Sequence, residues 1–228
     1  MEEKKSMIAI IQTYGWMLLA ALGKTILLTL LSLFFAMILG MIFALMNVGK
    51  NRLLNLLGTV YVDAIRGVPL MVLAFFIYFG IPSGMKGMGI QNFRLSALQA
   101  GTMALALNCG AYMAEIIRAG IESVDKGQME ASRSLGLTYG KSMRLVVLPQ
   151  AIRTMVPSII NQFIITLKDT SILSVIAFPE LMNMGKIISG NTGMVLQTWT
   201  IVGVMYMAVI ITLSKIAKRI ERRVNRGR

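Results

Sequence analysis

The chain has 228 residues, of which 56% are hydrophobic and only 14% charged, and its mean hydropathy is +0.70. A soluble domain of this size carries about 25% charged residues, so an ordinary soluble enzyme is excluded. The excess of 23 Lys and Arg over 10 Asp and Glu, a net +13, together with long uncharged apolar runs points to a basic membrane protein rather than a nucleic-acid binder. With no His and a single Cys109, neither an internal disulfide nor a His- or Cys-built metal site can form, and no metal or cofactor is expected in this chain.

In chain order, residues 1–22 open with the charged stretch Met1–Ser6. Met7 to Leu22 then reads as an interfacial lead-in helix, with Tyr14 and Trp16 at headgroup depth. No cleavage signal is evident before Lys24. Residues 25–49, 67–85, 95–114 and 187–214 carry no charge and hold 25, 19, 20 and 28 residues. Each is long enough to cross about 30 Å of hydrocarbon at 1.5 Å per residue. A fifth, irregular span runs from Val146 to Phe178, interrupted by Arg153, Pro157, Lys168 and Asp169, and needs protein or water over its polar face.

Lys and Arg set the orientation. They collect in the tail 215–228 (Lys215, Lys218, Arg219, Arg222, Arg223, Arg226, Arg228), in the connection from Arg118 to Arg153, and at Lys50 and Arg52. The remaining connections hold only Lys4, Lys5, Lys86, Arg94 and Lys186. The positive-inside rule makes the richer face cytoplasmic, so the N-terminus is expected outside and the C-terminus in the cytoplasm. The basic tail suits topology and attraction to anionic lipid. No tandem repeat is visible, and one domain, 1–228, is expected.

Several intramembrane polar residues call for an explanation, because a charge at the bilayer centre costs about 3 kcal/mol or more. Counted from Leu53, Asp63 and Arg66 fall about 15–20 Å along the second span and neighbour one another at i, i+3. They are either a self-neutralising structural pair or a site for a zwitterion, with Arg66 taking its carboxylate and Asp63 its ammonium. Gly67 and Pro69 follow at once, and a helix break there would free backbone groups for a polar solute. Asn108, Asn161 and Gln162 lie at similar depth and either join this site or hold helices together. Lys168 and Asp169 lie about 28 Å from Pro149 along their helix and are either an external gate or an interfacial ion pair. Glu115 and Arg118 read as helix-end anchors. The 19 Met residues are scattered core filler rather than a metal path.

Between the third and fourth spans, residues 127–149 are amphipathic at helical spacing, with Met129, Leu135, Leu137, Met143 and Val147 set against Arg133, Lys141 and Arg144. Gly136 and Gly140 suggest two short helices joined by a bend, a shape suited to docking in a partner's groove or to lying on the membrane. The run Leu135 to Ser142 ends like a phosphate-binding loop but has Leu135 where the first Gly belongs, so nucleotide must be held elsewhere. The segment carries Glu130-Ala131-Ser132, Gly136, Val146 and Leu148-Pro149. With Ser and Val as its two departures, this resembles the signature loop of ATP-binding-cassette importer permeases, Glu-Ala-Ala, three residues, Gly, nine residues, Ile, one residue, Leu-Pro.

The stretches Tyr61–Leu70, Ala111–Gly120 and Leu167–Ser171 are also similar to the polar amino acid (histidine, glutamine and arginine type) permeases. That resemblance implies an all-α, five-span, methionine-importer-like permease fold in the bacterial inner membrane. It implies a non-catalytic subunit, a second permease copy, and an extracytoplasmic substrate-binding protein. Two cytoplasmic ATPases would hold ATP and Mg and grip Glu130, Ala131, Ser132, Gly136, Leu148 and Pro149. Within the family, a carboxylate at the position of Gln162 goes with cationic substrates, so a neutral amide points to glutamine; cystine, arginine and histidine are the alternatives. A stand-alone ion-coupled carrier or channel, or a membrane anchor without transport, are the competing readings.

Overall fold

The computed structural model describes residues 7–49 and 51–225, with side chains as far as residue 222. Lys4, Lys5 and Lys50 and the side chains of Arg223, Arg226 and Arg228, used above to orient the chain, lie outside the described residues. Among the described residues every regular element is a helix, and five helices are long and apolar enough to cross a membrane.

The first helix, α1, runs unbroken over Met7–Val48. The expected lead-in and first span are therefore a single helix of 42 residues, about 63 Å long. Lys24 does not interrupt it, because one long-chain cation costs a helix almost nothing locally. A short turn leads into α2, Arg52–Gly67. The side chain of Asn51 starts this helix, its Oδ1 accepting from Leu53 N at 2.9 Å and Leu54 N at 3.4 Å, as helix-capping residues do. The helix stops at Gly67, and the second span, α3, begins after Pro69 over Leu70–Gly87. Proline lacks the N–H needed to continue a helix and disfavours helical backbone just before it. Asp63 and Arg66 thus belong to a separate helix and not to the second span, which corrects the depth counted from the sequence.

The third span is α4, Ala97–Glu122, the most buried of the five, with 67% of its most apolar window enclosed. Next, α5 covers Lys126–Ser134, capped by Asp125, whose Oδ1 accepts from Gly127 N at 2.6 Å. The chain reverses through Gly136, at φ +86°, and re-enters a long helix, α6, over Tyr139–Ile176. Only Gly136 makes the bend; Gly140 is helical, and the second of the two expected short helices is the first turn of the fourth span. After a turn come α7, Leu181–Thr192, and the last span within α8, Val195–Asn225.

By packing, the chain forms two compact units, each discontinuous in sequence: 1–34, 68–106 and 164–213, and 35–67, 107–163 and 214–228. In the first, Ile10 and Leu18 of α1 pack on Leu181, Ile188, Met194 and Val202. Residues 7–22 are therefore partly enclosed by protein. Glu180 is fully buried in this unit and lies outside the five spans. It caps α7, accepting from Met182 N at 2.7 Å and Asn183 N at 2.6 Å, while the Tyr206 hydroxyl donates to it at 2.8 Å. Burial pushes its carboxyl above the usual range despite these donors.

In the second unit, Val62 of α2, Ile117 and Ile121 of α4, and Val147, Ala151 and Met155 of α6 share one core with Ala44 of α1. There the segment 127–149 is tied to the bundle by apolar burial, the main favourable term in packing.

Candidate functional site

Within the second unit α2 is fixed by three polar or aromatic contacts. Asn55 Nδ2 donates to Asn47 O at 2.7 Å, the Tyr61 hydroxyl donates to Leu107 O at 2.8 Å, and the Tyr61 ring stacks on Phe43 with centroids 3.7 Å apart. Close approach is possible because Gly58 faces Asn47; a Cβ there would meet Asn47 Oδ1 at 2.0 Å. These contacts turn the last two turns of α2 toward α4. Between them lies a cavity of about 320 Å³ lined by Asn47, Asn55, Thr59, Val62, Asp63, Arg66, Glu115, Arg118 and Glu122. Ligand pockets run upward from about 300 Å³, so this one fits a solute the size of one amino acid.

Its charges are arranged unlike the sequence expectation. The i, i+3 pair between Asp63 and Arg66 does not form. Arg66 Nη1 instead lies 4.0 Å from Glu115 Oε2, and its guanidinium sits 5.2 Å from the centre of the Tyr112 ring, within cation–π range. Glu115 is held more closely by Arg118, through Nε at 3.3 Å and through Nη2, and Arg118 Nη1 also binds Glu122. Among the described residues Asp63 makes no ion pair.

The cavity's lining extends to the ends of α1 and α4. Asn47 is one residue from the end of α1 and Glu122 closes α4, so the site does not sit at the middle of a span. Glu115 and Arg118, expected only as helix anchors, line it. The sequence signal for them was present: Tyr112, Glu115, Arg118 and Glu122 follow at steps of three, three and four, one face of a helix.

The other candidates fall elsewhere. Asn108, Asn161 and Gln162 are not among the cavity's lining residues. Asn161 is exposed and its neighbour Gln162 is buried, so the two amides point different ways. Lys168 is exposed and Asp169 half-buried, near the end of α6, and among the described residues no ion pair joins them.

In the segment 127–149 Glu130, Ala131, Arg133 and Leu135 are exposed, Leu135 by 85%. Ser132, one departure from the signature loop, faces inward at 5% exposure, and its hydroxyl donates to Met129 O at 2.9 Å. That internal bond lets a hydroxyl replace a methyl in a buried position. Gln150 Nε2 donates to Gln128 Oε1 at 3.3 Å, linking α5 to the start of α6. Leu148 is half-buried and Pro149 exposed. Glu130, Ala131 and Arg133 of α5, and Leu135 just past its end, are thus presented outward.

Residues 36–226 match the family described as binding-protein-dependent transport system inner membrane component. The chain is 39% identical over 203 residues to the probable glutamine ABC transporter permease protein GlnM of Bacillus subtilis (strain 168), covering 89% of this chain and 91% of that one. It is also 39% identical over 219 residues to the L-cystine transport system permease protein TcyB of the same organism, covering 95% and 91%. The crystal structure of an amino acid ABC transporter with histidines superposes with a TM-score of 0.87 at 37% identity, over 96% of this chain and 98% of that one. A permease chain of the MetNI methionine transporter shares the fold, with a TM-score of 0.75 at 21% identity over 93% and 98%. The chain belongs to the family of inner-membrane components of binding-protein-dependent transport systems, and is a membrane permease of the ATP-binding-cassette type.

Proposed function

We propose that this chain is the transmembrane subunit of an ATP-driven importer of polar amino acids, with glutamine as the first candidate and cystine, arginine and histidine as alternatives. The carrying observation is that Glu130, Ala131 and Arg133 stand exposed on α5, with Leu135 just past its end, while Met129 of the same helix packs against the bundle core. An anchored helix with a free face can transmit a rigid-body push into the spans it joins. Two ATPase subunits grip that face, along with Gly136, Leu148 and Pro149, from the cytoplasm, where the C-terminus also lies. The ATPases hold ATP and Mg, and this chain catalyses nothing. A second permease copy completes the passage and an extracytoplasmic receptor delivers the solute.

In this reading the cavity between α2 and α4 is the polar station of the pathway, with Arg66 for the carboxylate and Asp63 for the ammonium. Asn108, Asn161 and Gln162 belong to neighbouring parts of the route, and Lys168 and Asp169 act as an outer gate. The names of GlnM and TcyB are consistent with a polar amino acid cargo.

Reconstitution into liposomes with and without the ATPase and receptor tests the proposal. Uptake of labelled glutamine that requires both partners and ATP is expected. Uptake by this chain alone, driven by an ion gradient, would replace the proposal with a stand-alone carrier.

A further inference from the structure

Resting on the reading of this chain as the moving subunit of an ATP-driven importer, we infer that Glu180 is a positioning residue for transport. Together with Tyr206 and Thr25 it clasps α7 to α1 and α8, and this clasp lets ATP hydrolysis move solute.

The clasp lies wholly within the first unit. The first three amides of α7 are all taken by side chains. Leu181 N donates to Thr25 Oγ1 of α1 at 3.1 Å, Met182 N to Glu180 Oε2 at 2.7 Å and Asn183 N to Glu180 Oε1 at 2.6 Å. Glu180 Oε2 also accepts from the Tyr206 hydroxyl of α8 at 2.8 Å. Lys186 Nζ donates to Ser174 Oγ, near the end of α6, at 2.8 Å. Polar bonds thus join α7 and its cap to three spans, and both Glu180 and Thr25 are fully buried. Just before them Ala177 stands at φ +56°, the only non-glycine at positive φ among the described residues. Such a backbone persists only where its surroundings over-determine it.

The clasp does more than cap a helix. Tyr206 lies midway between Val195, where α8 starts, and Lys215, the first charge on it. Glu180 belongs to no span, yet its carboxylate is held at the level of the middle of the last one. The spans it joins are sparsely packed: 11% of the most apolar window of α8 and 33% of that of α1 is buried. Lipid tails are as apolar as these side chains, so helix positions in a bilayer are set by close packing and hydrogen bonds. Where packing is sparse, the directional bonds of a buried carboxylate decide. With the clasp closed, a displacement of α1, α7 or α8 carries the others as one body. With it open, α8 slips in lipid while the ATPases turn over.

The test measures solute imported per ATP hydrolysed by the complex with its ATPase and receptor in liposomes, using labelled glutamine, cystine, arginine and histidine. Two variants separate the clasp from the cap. Glu180→Asp still caps α7, since Asp is a favoured N-cap residue, but is one methylene too short to reach Tyr206. Tyr206→Phe leaves the cap untouched and removes only the hydroxyl. Both are expected to assemble and to hydrolyse ATP as wild type does, while solute moved per ATP falls about 10-fold, the scale of one hydrogen bond to a charged group. The combined variant should be no worse than either alone, because both changes break the same bond. A wild-type yield per ATP in either single variant, or losses that multiply in the combined one, would overturn the clasp and leave the importer reading standing. No ATP-driven uptake of any of the four solutes by the wild-type complex would remove both.

Discussion

Arg66 pairs with Glu115 on the neighbouring helix and not with Asp63, three residues before it on its own. The two candidates differ in what holds them. Glu115 is fixed from the other side by Arg118, while Asp63 is exposed on α2. A pre-positioned carboxylate costs a long arginine side chain less conformational entropy than a mobile one.

Because the Arg66 side chain is 38% exposed, its pairing adds little to stability, about 0–1 kcal/mol. Arg66→Ala should therefore remain monodisperse by size exclusion with a nearly unchanged Tm, while ATP-driven uptake by the reconstituted complex is lost. Aggregation of the variant, or normal uptake, would contradict this assignment.

Gly136 is the only one of residues 127–149 at positive φ. Nothing lies within 4 Å of a Cβ built there, so a side chain costs only backbone strain, about 1–2 kcal/mol. Gly136→Leu and Glu130→Arg are expected to leave membrane insertion intact and to abolish co-purification of the ATPase or its solute-stimulated turnover. Wild-type ATP-driven uptake by both variants would refute the docking role.

Glu180 gives a pH dependence with a definite sign. Its carboxyl is raised by burial, so the folded state holds the proton more tightly than the unfolded chain does. Its contribution to stability is fully present below the ordinary Glu range and declines as pH rises through the raised value. Thermal scans from acid to neutral pH should show that decline, and Glu180→Gln should flatten it. Glu180→Ala should lower stability at every pH by about 1–3 kcal/mol, because Met182 N, Asn183 N and the Tyr206 hydroxyl lose their acceptor. An unchanged pH profile in Glu180→Gln would remove the assignment.

Gly40 of α1 meets α4 so closely that a Cβ would lie 2.5 Å from Met113 Cβ and 3.2 Å from Ala114 N. Gly40→Leu should cost about 1–3 kcal/mol or more through overpacking, seen as a fall in Tm and loss of monodisperse protein. Gly203→Ala, with nothing within 4 Å, is the matched control and should raise stability by about 0.5–1 kcal/mol. Equal behaviour of the two would show that the α1–α4 contact does not limit stability.

Much of the architecture was legible in order of sequence. Four charge-free stretches and the Val146–Phe178 run each overlap one of the five candidate spans, though residues 187–192 of the last stretch belong to α7, since hydrocarbon tolerates few charges. The bend within residues 127–149 was legible because it is a local requirement: Ala131 and Ser132 sit on a short helix and Gly136 at the left-handed turn. The helix break between Gly67 and Leu70 was legible too, from Pro69; what the charge pattern concealed was the continuity of α1 through Lys24.

The sequence by itself determined that this chain lives in a bilayer, how many times it can cross, and where its backbone bends at Gly136. Those properties follow from the solubility of each residue type and from local backbone preference. Only the tertiary structure decided which carboxylate Arg66 meets. It did so through Tyr61, Asn55 and Gly58, which seat α2 against α1 and α4 and bring Glu115 to Arg66 from far along the chain. Helical spacing makes Asp63 and Arg66 neighbours, but it cannot rank Asp63 against a competitor supplied by another helix.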